Sequence, residues 1–500
     1  MSLLRCCHLL ALLLVGGVLY AGANVCGAQA QKAETVPVVM LSDIHFDPFH
    51  DPSKFEKLRA APIVQWQKIL AEPGSATQLA DATKLANGCA TRGVDTPWVL
   101  LESSLAAAHA HSPHPLFVTV SGDLLAHAFE CRFQTLAHKA SAEEQSAFAS
   151  KTLDYVASEL RRTFPATPIY MTLGNNDSGC GDYRDSPDSD FLKRAAESFS
   201  AELESPAAQK DLLRSFPANG DYSVALPKPI VRGRLIVLQN IFLAASHVGC
   251  DGKPDPASAA AQLEWLHSQL AAAHARKEQV WVMAHIPPGV NFYTTLSNKR
   301  DVCAGQSPVM FLKDEKLVDV LTDFASDIRL AIFAHTHMDE MRLLQTGNTV
   351  AKPDADAAIK PAWVAAKLVP SISPINGNNP SFTLADIDPK TATMKDYRVF
   401  SADNKTGIAA KWREGYQYSV AYQSTGFTPE EVARLMEKFG ADKQGEAPDS
   451  QEYESNFMPG GGLKSLAIRL VWPQYVCSIR QNTVEGFRDC MCPAGPQGAK

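Results

Sequence analysis

Long apolar runs are missing from most of this chain: beyond residue 20, no segment reaches the roughly 18 apolar residues that a membrane span needs. A basic excess is missing as well. With 47 Lys and Arg against 54 Asp and Glu, the formal charge is −7. The chain therefore lacks the positive footprint with which a nucleic-acid-binding module displaces counterions. The same balance gives no help towards anionic lipid surfaces. No CxxC pair has a distant partner pair, which argues against a structural zinc ribbon. Low-complexity tracts and internal repeats are absent. At 45% hydrophobic and 20% charged residues, the composition is that of a soluble globular protein.

What is present begins with a leader. Arg5 precedes the apolar stretch from Leu9 to Tyr20, and Ala28-Gln29-Ala30 supplies small residues for cleavage. This is the pattern of a signal peptide over residues 1–30, too short and wrongly flanked for a transmembrane helix. Its removal makes the mature chain more acidic by one charge, that of Arg5. Of the eleven cysteines, Cys6, Cys7 and Cys26 leave with it, and Cys89, Cys131, Cys180, Cys250, Cys303, Cys477, Cys490 and Cys492 remain. An even number in an exported chain reads as disulfide staples whose pairing the sequence leaves open. The expected location is secreted or periplasmic.

Five short apolar runs each end on residues of metal-ligand type. The run finishing at Ser42 leads to Asp43 and His45, and PLFVTVSG (115–122) leads to Asp123. PIYMTLG (168–174) leads to Asn175, QVWVMA (279–284) to His285, and IRLAIFA (328–334) to His335 and His337. Runs this short and this rich in Val, Ile, Leu and Phe read as buried strands. In open α/β sheets, function gathers beyond the carboxyl ends of strands, so one shared site is expected. Two carboxylates, four imidazoles and an amide oxygen suit metal. If Asp123 bridges, two ions each receive about four protein ligands.

Between these strands, residues 151–164 place Leu153, Val156, Leu160 and Phe164 on one helical face, and 257–275 does likewise with Leu263, Leu266 and Leu270. Further strands are expected at Tyr222–Leu226, Leu235–Phe242 and Ala362–Leu368. The alternation points to a layered α/β domain over residues 31–400, with irregular insertions at 71–96 and 177–220 bordering the site. Residues 401–500 read as a helical C-terminal region. Its helices fall at 428–439 and 474–490, with a break at Gly460-Gly461-Gly462 and a tail pinned through Cys477, Cys490 and Cys492.

These stretches resemble the calcineurin-like binuclear metallophosphoesterases, whose motifs run D-x-H, G-D, G-N-H-[DE], H and G-H-x-H. The likeness is closest to the acid sphingomyelinase-like phosphodiesterases. It is carried by SDIHFDP (42–48), GDLLAH (122–127), AHIPPG (284–289), AHTHMDE (334–340), PSISPINGNNPSF (370–382) and AQLEWLHSQL (261–270). The resemblance implies a sandwich of two β-sheets flanked by helices. It also implies two divalent ions, zinc first and manganese or iron next. Asp43, His45 and His337 would hold one ion, Asn175, His285 and His335 the other, with Asp123 between them. The implied reaction is in-line attack on a phosphoric ester by a metal-bridging hydroxide. The implied substrate is a small phosphoester, a nucleotide or a lipid head group. Because the first strand follows the leader within about six residues, no saposin-like domain is expected ahead of it, which favours soluble or nucleotide phosphoesters.

One position departs from the family pattern: Gly174-Asn175-Asn176-Asp177 carries Asn where the motif has His. Asn176 cannot protonate a leaving group near neutral pH, although it can donate a hydrogen bond to a phosphoryl oxygen. The histidine of the G-D-x-x-x-H stretch survives as His127, which becomes the expected general acid. Ala334, in place of the usual Gly, is expected to be tolerated. Two alternatives stay open: a phosphomonoesterase or nucleotide phosphatase, and a catalytically silent metal-containing binding protein. His247 is read as a surface or loop residue, and Asp339 and Glu340 as either acceptors for the histidine pair or a solvated acidic pair.

Overall fold

The computed structural model describes residues 35–91, 93–346 and 362–492, so the leader expected over residues 1–30 lies outside the described residues. The chain opens with three parallel strands, β1 (Val36–Leu41), β2 (Phe117–Val120) and β3 (Ile169–Met171). Their unbroken apolar sequences permit burial on both faces, and every residue of β2 and β3 is buried.

A second sheet follows. It is built from β4 (Tyr222–Ala225), β5 (Gly233–Val237), β6 (Gln279–Met283), β7 (Ile328–Phe333), β8 (Glu340–Leu344) and β9 (Val364–Leu368). Its order is β4-β5-β6-β7-β9-β8, with antiparallel edge strands around a parallel centre. The chain then returns to the first sheet as β10 (Ser381–Ile387), β11 (Met394–Ala402) and β12 (Trp412–Gln417). The order there becomes β12-β11-β10-β1-β2-β3.

The alternation of side chains along β6 shows how the layers are glued. Trp281 and Met283 enter the core shared by the two sheets, where the indole meets the Phe117 ring edge-on at 5.6 Å. Val280 and Val282 point the other way, into a cluster with Leu266 and Leu270 of the helix Pro256–Ala275. A strand puts successive side chains on opposite faces, so one apolar run binds a sheet on one side and a helix on the other. Leu153, Val156, Leu160 and Phe164 are buried as the periodicity required. Their helix, Ala142–Thr163, starts at a capping box between Ser141 and Glu144.

Two regions differ from the sequence reading. The insertions are not irregular throughout, since they contain the helices Gln78–Gly88, Asp190–Ala201 and Pro206–Asn219. The Ser and Pro residues that suggested loops are helix starts: Ser189 and Ser205 cap, and Pro206 fills the first turn. Past residue 400 the chain is still in the sheet, because Trp412–Gln417 pairs with β11. The helices Pro429–Ala441, Pro448–Asn456, Trp472–Arg480 and Val484–Met491 come only afterwards. Phe439, Tyr453, Trp472 and Tyr475 join the same core as the sheets.

The eight cysteines form four disulfides: Cys89–Cys131, Cys180–Cys250, Cys303–Cys492 and Cys477–Cys490. The third ties the end of the helical region to the sheet-bearing body. Such stapling fits an extracytoplasmic protein. No helix among the described residues is long and apolar enough to cross a membrane.

Candidate metal centre

The carboxyl ends of β1, β2, β3, β6 and β7 deliver all seven ligand-type residues to one end of the sandwich. The backbone there is bent sharply. Asp43, His45, Asp123, His335 and His337 have φ of 45°, 43°, 56°, 72° and 67°. Left-handed backbone costs a residue with a side chain about 1 kcal/mol or more, and such strain gathers where the fold is forced to aim side chains. Close approach adds a second constraint. A Cβ on Gly122 would come within 2.8 Å of both His285 Nδ1 and Gly174 N, so only glycine lets these loops meet. Ala334 is not left-handed, and the residue usual in the family is not needed there.

The side chains converge. His45 Nε2 lies 3.2 Å from His337 Nε2 and 3.3 Å from Asp123 Oδ2. His285 Nε2 is 3.2 Å from Asp123 Oδ2, and His337 Nε2 is 3.5 Å from Asp43 Oδ1. His335 completes a second cluster with Asp123 and His285. The outer nitrogens are fixed: Nδ1 of His45 bonds the Leu125 carbonyl at 2.8 Å, and Nδ1 of His285 bonds the Ser121 carbonyl at 2.8 Å. Both imidazoles therefore present Nε2 inward.

Whether this donor set fits metal is decided by what the inward atoms bond. Both oxygens of Asp43 and Oδ1 of Asn175 are buried without a hydrogen-bond partner. Native proteins rarely bury so many polar atoms unpaired in one place. The electrostatics agree. Burial alone would lower the His45 imidazole, but Asp123, Asp95 and Asp43 outweigh it and push it up to about 10. His285 is pushed to about 9, because Asp123 and Asp43 likewise overcome burial. Burial and the positive His285 hold His335 down to about 3. Burial, only partly relieved by His285, lifts Asp43 to about 6. Two buried carboxylates so placed draw positive charge, which the two raised imidazoles supply here and which a pair of divalent cations, suited to these donor types, would supply in their place.

The family model for calcineurin-like phosphoesterases matches residues 36–339, which includes all seven ligand-type residues. The chain belongs to that family. This phosphoesterase is 24% identical over 414 residues to the human acid sphingomyelinase-like phosphodiesterase 3b, covering 80% of this chain and 81% of that protein. It is also 24% identical over 417 residues to sphingomyelinase phosphodiesterase C of Dictyostelium discoideum, covering 79% of this chain and 82% of that one. Cyclic GMP-AMP phosphodiesterase of Bos taurus is 23% identical over 344 residues, with 67% of this chain and 69% of that protein covered.

Around the seven ligand-type residues lies a layer in which Asp95, Asp177, Asp182 and Tyr183 were not singled out from sequence. Asp95, fully buried, accepts from His127 Nδ1 at 2.9 Å, from the His127 backbone at 2.9 Å and from Ser373 Oγ at 3.1 Å. The imidazole of His127 stacks on His45 with ring centres 3.9 Å apart. Asp182 accepts from Asn175 Nδ2 at 2.8 Å, which turns Asn175 Oδ1 inward, and Tyr183 Oη lies 3.1 Å from His335 Nε2. Asp177 ties the β2 and β3 ends together by accepting from the amides of Leu124, Leu125 and Gly174. Asn176 donates its side-chain amide to Asp123 Oδ2 at 3.0 Å, so in this structure it braces the shared carboxylate.

Two other readings change: His247 does lie in a loop, but not at the surface. His247 is buried, with Nε2 3.3 Å from the Asp185 carbonyl and its ring 5.0 Å from Phe242. Asp339 and Glu340 are neither solvated nor bonded to the histidine pair. Asp339 pairs with Lys367 and Tyr416, and Glu340 with Tyr475.

Proposed function

We propose that this protein hydrolyses phosphodiesters outside the cytoplasm, as a secreted or periplasmic enzyme. Asp43, His45 and His337 would hold one divalent ion, Asn175, His285 and His335 a second, and Asp123 would be shared. Zinc is the ion that four imidazoles with carboxylate and amide oxygens suit best, with manganese or iron as substitutes. When bound, the pair supplies Lewis-acid charge at the phosphoryl group and lowers the pKa of water towards neutrality. The names of the relatives favour a diester over a monoester, and a small phosphoester, a nucleotide or a lipid head group as its source.

The remaining work falls to the chain's own residues. Nδ1 of His127 is engaged by Asp95, which leaves Nε2 to carry a proton to the leaving oxygen. Stacking on His45 keeps that ring at the edge of the ligand cluster. Asp95 acts as a positioning residue, and Asn176 holds Asp123 against rotation. The observation that carries this reading is the Asp95–His127 pair, because it supplies the acid that the Asn176 position lacks.

A leaving-group series on metal-replete protein tests it. In His127→Ala, diesters with alkyl leaving groups should slow by about 10²–10⁴-fold, and nitrophenyl esters, which need no proton, far less. Equal loss on both removes His127 from the role. Two bound ions with no turnover of any mono- or diester would favour the silent binding protein instead.

A further inference from the structure

We propose that the C-terminal region supplies one wall of an apolar subsite beside the metal centre, so that the enzyme selects phosphodiesters with an alkyl ester group. The inference rests on the phosphodiesterase reading above and names the substrate class at that same site. A cavity of about 640 Å³ opens directly off His335 and Thr336. Phe311 and Met338 line it on the side of the sheets, while Phe457, Ile468 and Leu470 close it from the C-terminal region. Among the described residues no Lys, Arg, Asp or Glu faces it.

The mouth is apolar too. Leu470 is 88% exposed, Leu296 50% and Tyr293 43%, and all three border this one cavity. Single apolar side chains on a surface mean little, but a cluster around a concave site marks a place where apolar matter binds. Among the described residues a second phosphate on a substrate would find no Lys or Arg in this cavity, and an anion among such side chains would lose its hydration unrewarded. Each alkyl methylene buried there is worth about fourfold in affinity. Phe457 of the wall packs on Tyr475 with ring centres 5.4 Å apart, and Tyr475 donates to Glu340, so this side of the cavity is anchored before binding. Because His335 belongs both to the metal cluster and to the cavity, a phosphorus held at the centre places one ester arm at the opening.

Symmetrical dialkyl phosphates test this on the metal-replete full chain, since either arm then presents the same group. Dimethyl and dibutyl phosphate would be titrated by calorimetry, with turnover of the same compounds followed by ³¹P NMR. Dibutyl phosphate should bind at least about tenfold more tightly than dimethyl phosphate. That ratio should fall below about threefold in Leu470→Ser and in Leu296→Ser, both exposed positions where the fold tolerates a polar side chain. Equal binding of the two phosphates, or a ratio unchanged in both variants, overturns the subsite. Chain-length-dependent binding, with no turnover of these compounds or of bis-nitrophenyl phosphate, supports the subsite and overturns the phosphodiesterase reading instead.

Discussion

Two buried polar clusters in this chain are built in opposite ways. One lies where β8, β9 and β12 meet. There Lys367 donates to Asp339 and to the Leu368 carbonyl at 2.7 Å, and Tyr416 donates to the other oxygen of Asp339 at 2.7 Å. Each charged atom has its partner, and none of these residues sits on left-handed backbone. The other cluster is the ligand end of β1, β2, β3, β6 and β7. It stands on strained backbone and leaves both Asp43 oxygens and Asn175 Oδ1 without a hydrogen bond. A self-satisfied polar cluster fastens structure; one that is incomplete by itself is made to receive something. Burial of charge alone would not have told them apart.

Substitutions can break that contrast. The largest effect is expected from Asp123→Asn. The shared carboxylate loses a charge, and several kcal/mol of charge stabilisation with it, so turnover by metal-replete protein should fall by about 10³-fold or more. Elemental analysis should show fewer than two ions per chain. Turnover within tenfold of wild type, with two ions retained, would move the activity elsewhere.

Asp339→Ala should do the reverse. It strands the Lys367 ammonium in a buried site, a change that typically costs about 3–5 kcal/mol, read from denaturant midpoints, while metal content is kept. Loss of metal at unchanged stability would invert the comparison.

A buried carboxyl outside both clusters sharpens it further. Burial, only partly offset by hydrogen bonds from Gln239, Ser186 and Ser189, pushes Asp185 up to about 6. A raised carboxyl contributes stability that is fully present below its unfolded pKa near 4 and is lost as pH rises through about 6. Between pH 4 and 7 the wild type should therefore lose on the order of 2–3 kcal/mol from this group, and Asp185→Asn should flatten that slope. An unchanged slope would show that Asp185 is already charged at low pH.

The smallest effect is expected from Tyr183→Phe. It removes one hydrogen bond to His335, worth about 1 kcal/mol, so metal affinity measured by chelator competition should drop by about fivefold. A loss as large as that of Asp123→Asn would place Tyr183 among the groups the reaction needs.

What could be read without a structure follows from the range of the forces involved. Strand ends and the candidate ligands beside them were legible because a short apolar run and the residue that stops it are neighbours in sequence. Asp95, Asp182 and Tyr183 were not, since they lie in insertions whose positions are set by Cys89–Cys131, by Cys180–Cys250 and by distant packing. The helices in those insertions were missed because Ser, Asp and Pro serve equally as turn formers and as helix starts. Asp339 and Glu340 were ambiguous because a charged letter carries no statement of burial.

The sequence by itself determined the ligand types, their order along the chain and the α/β alternation, all of which depend on local pattern. Tertiary structure decided which atoms face one another. It gave His127 its carboxylate, turned Asn176 onto Asp123, extended the sheet through Trp412–Gln417 and set an apolar cavity against His335. Those pairings join residues far apart in sequence, and only close packing of two sheets and a helical region fixes the distances between them.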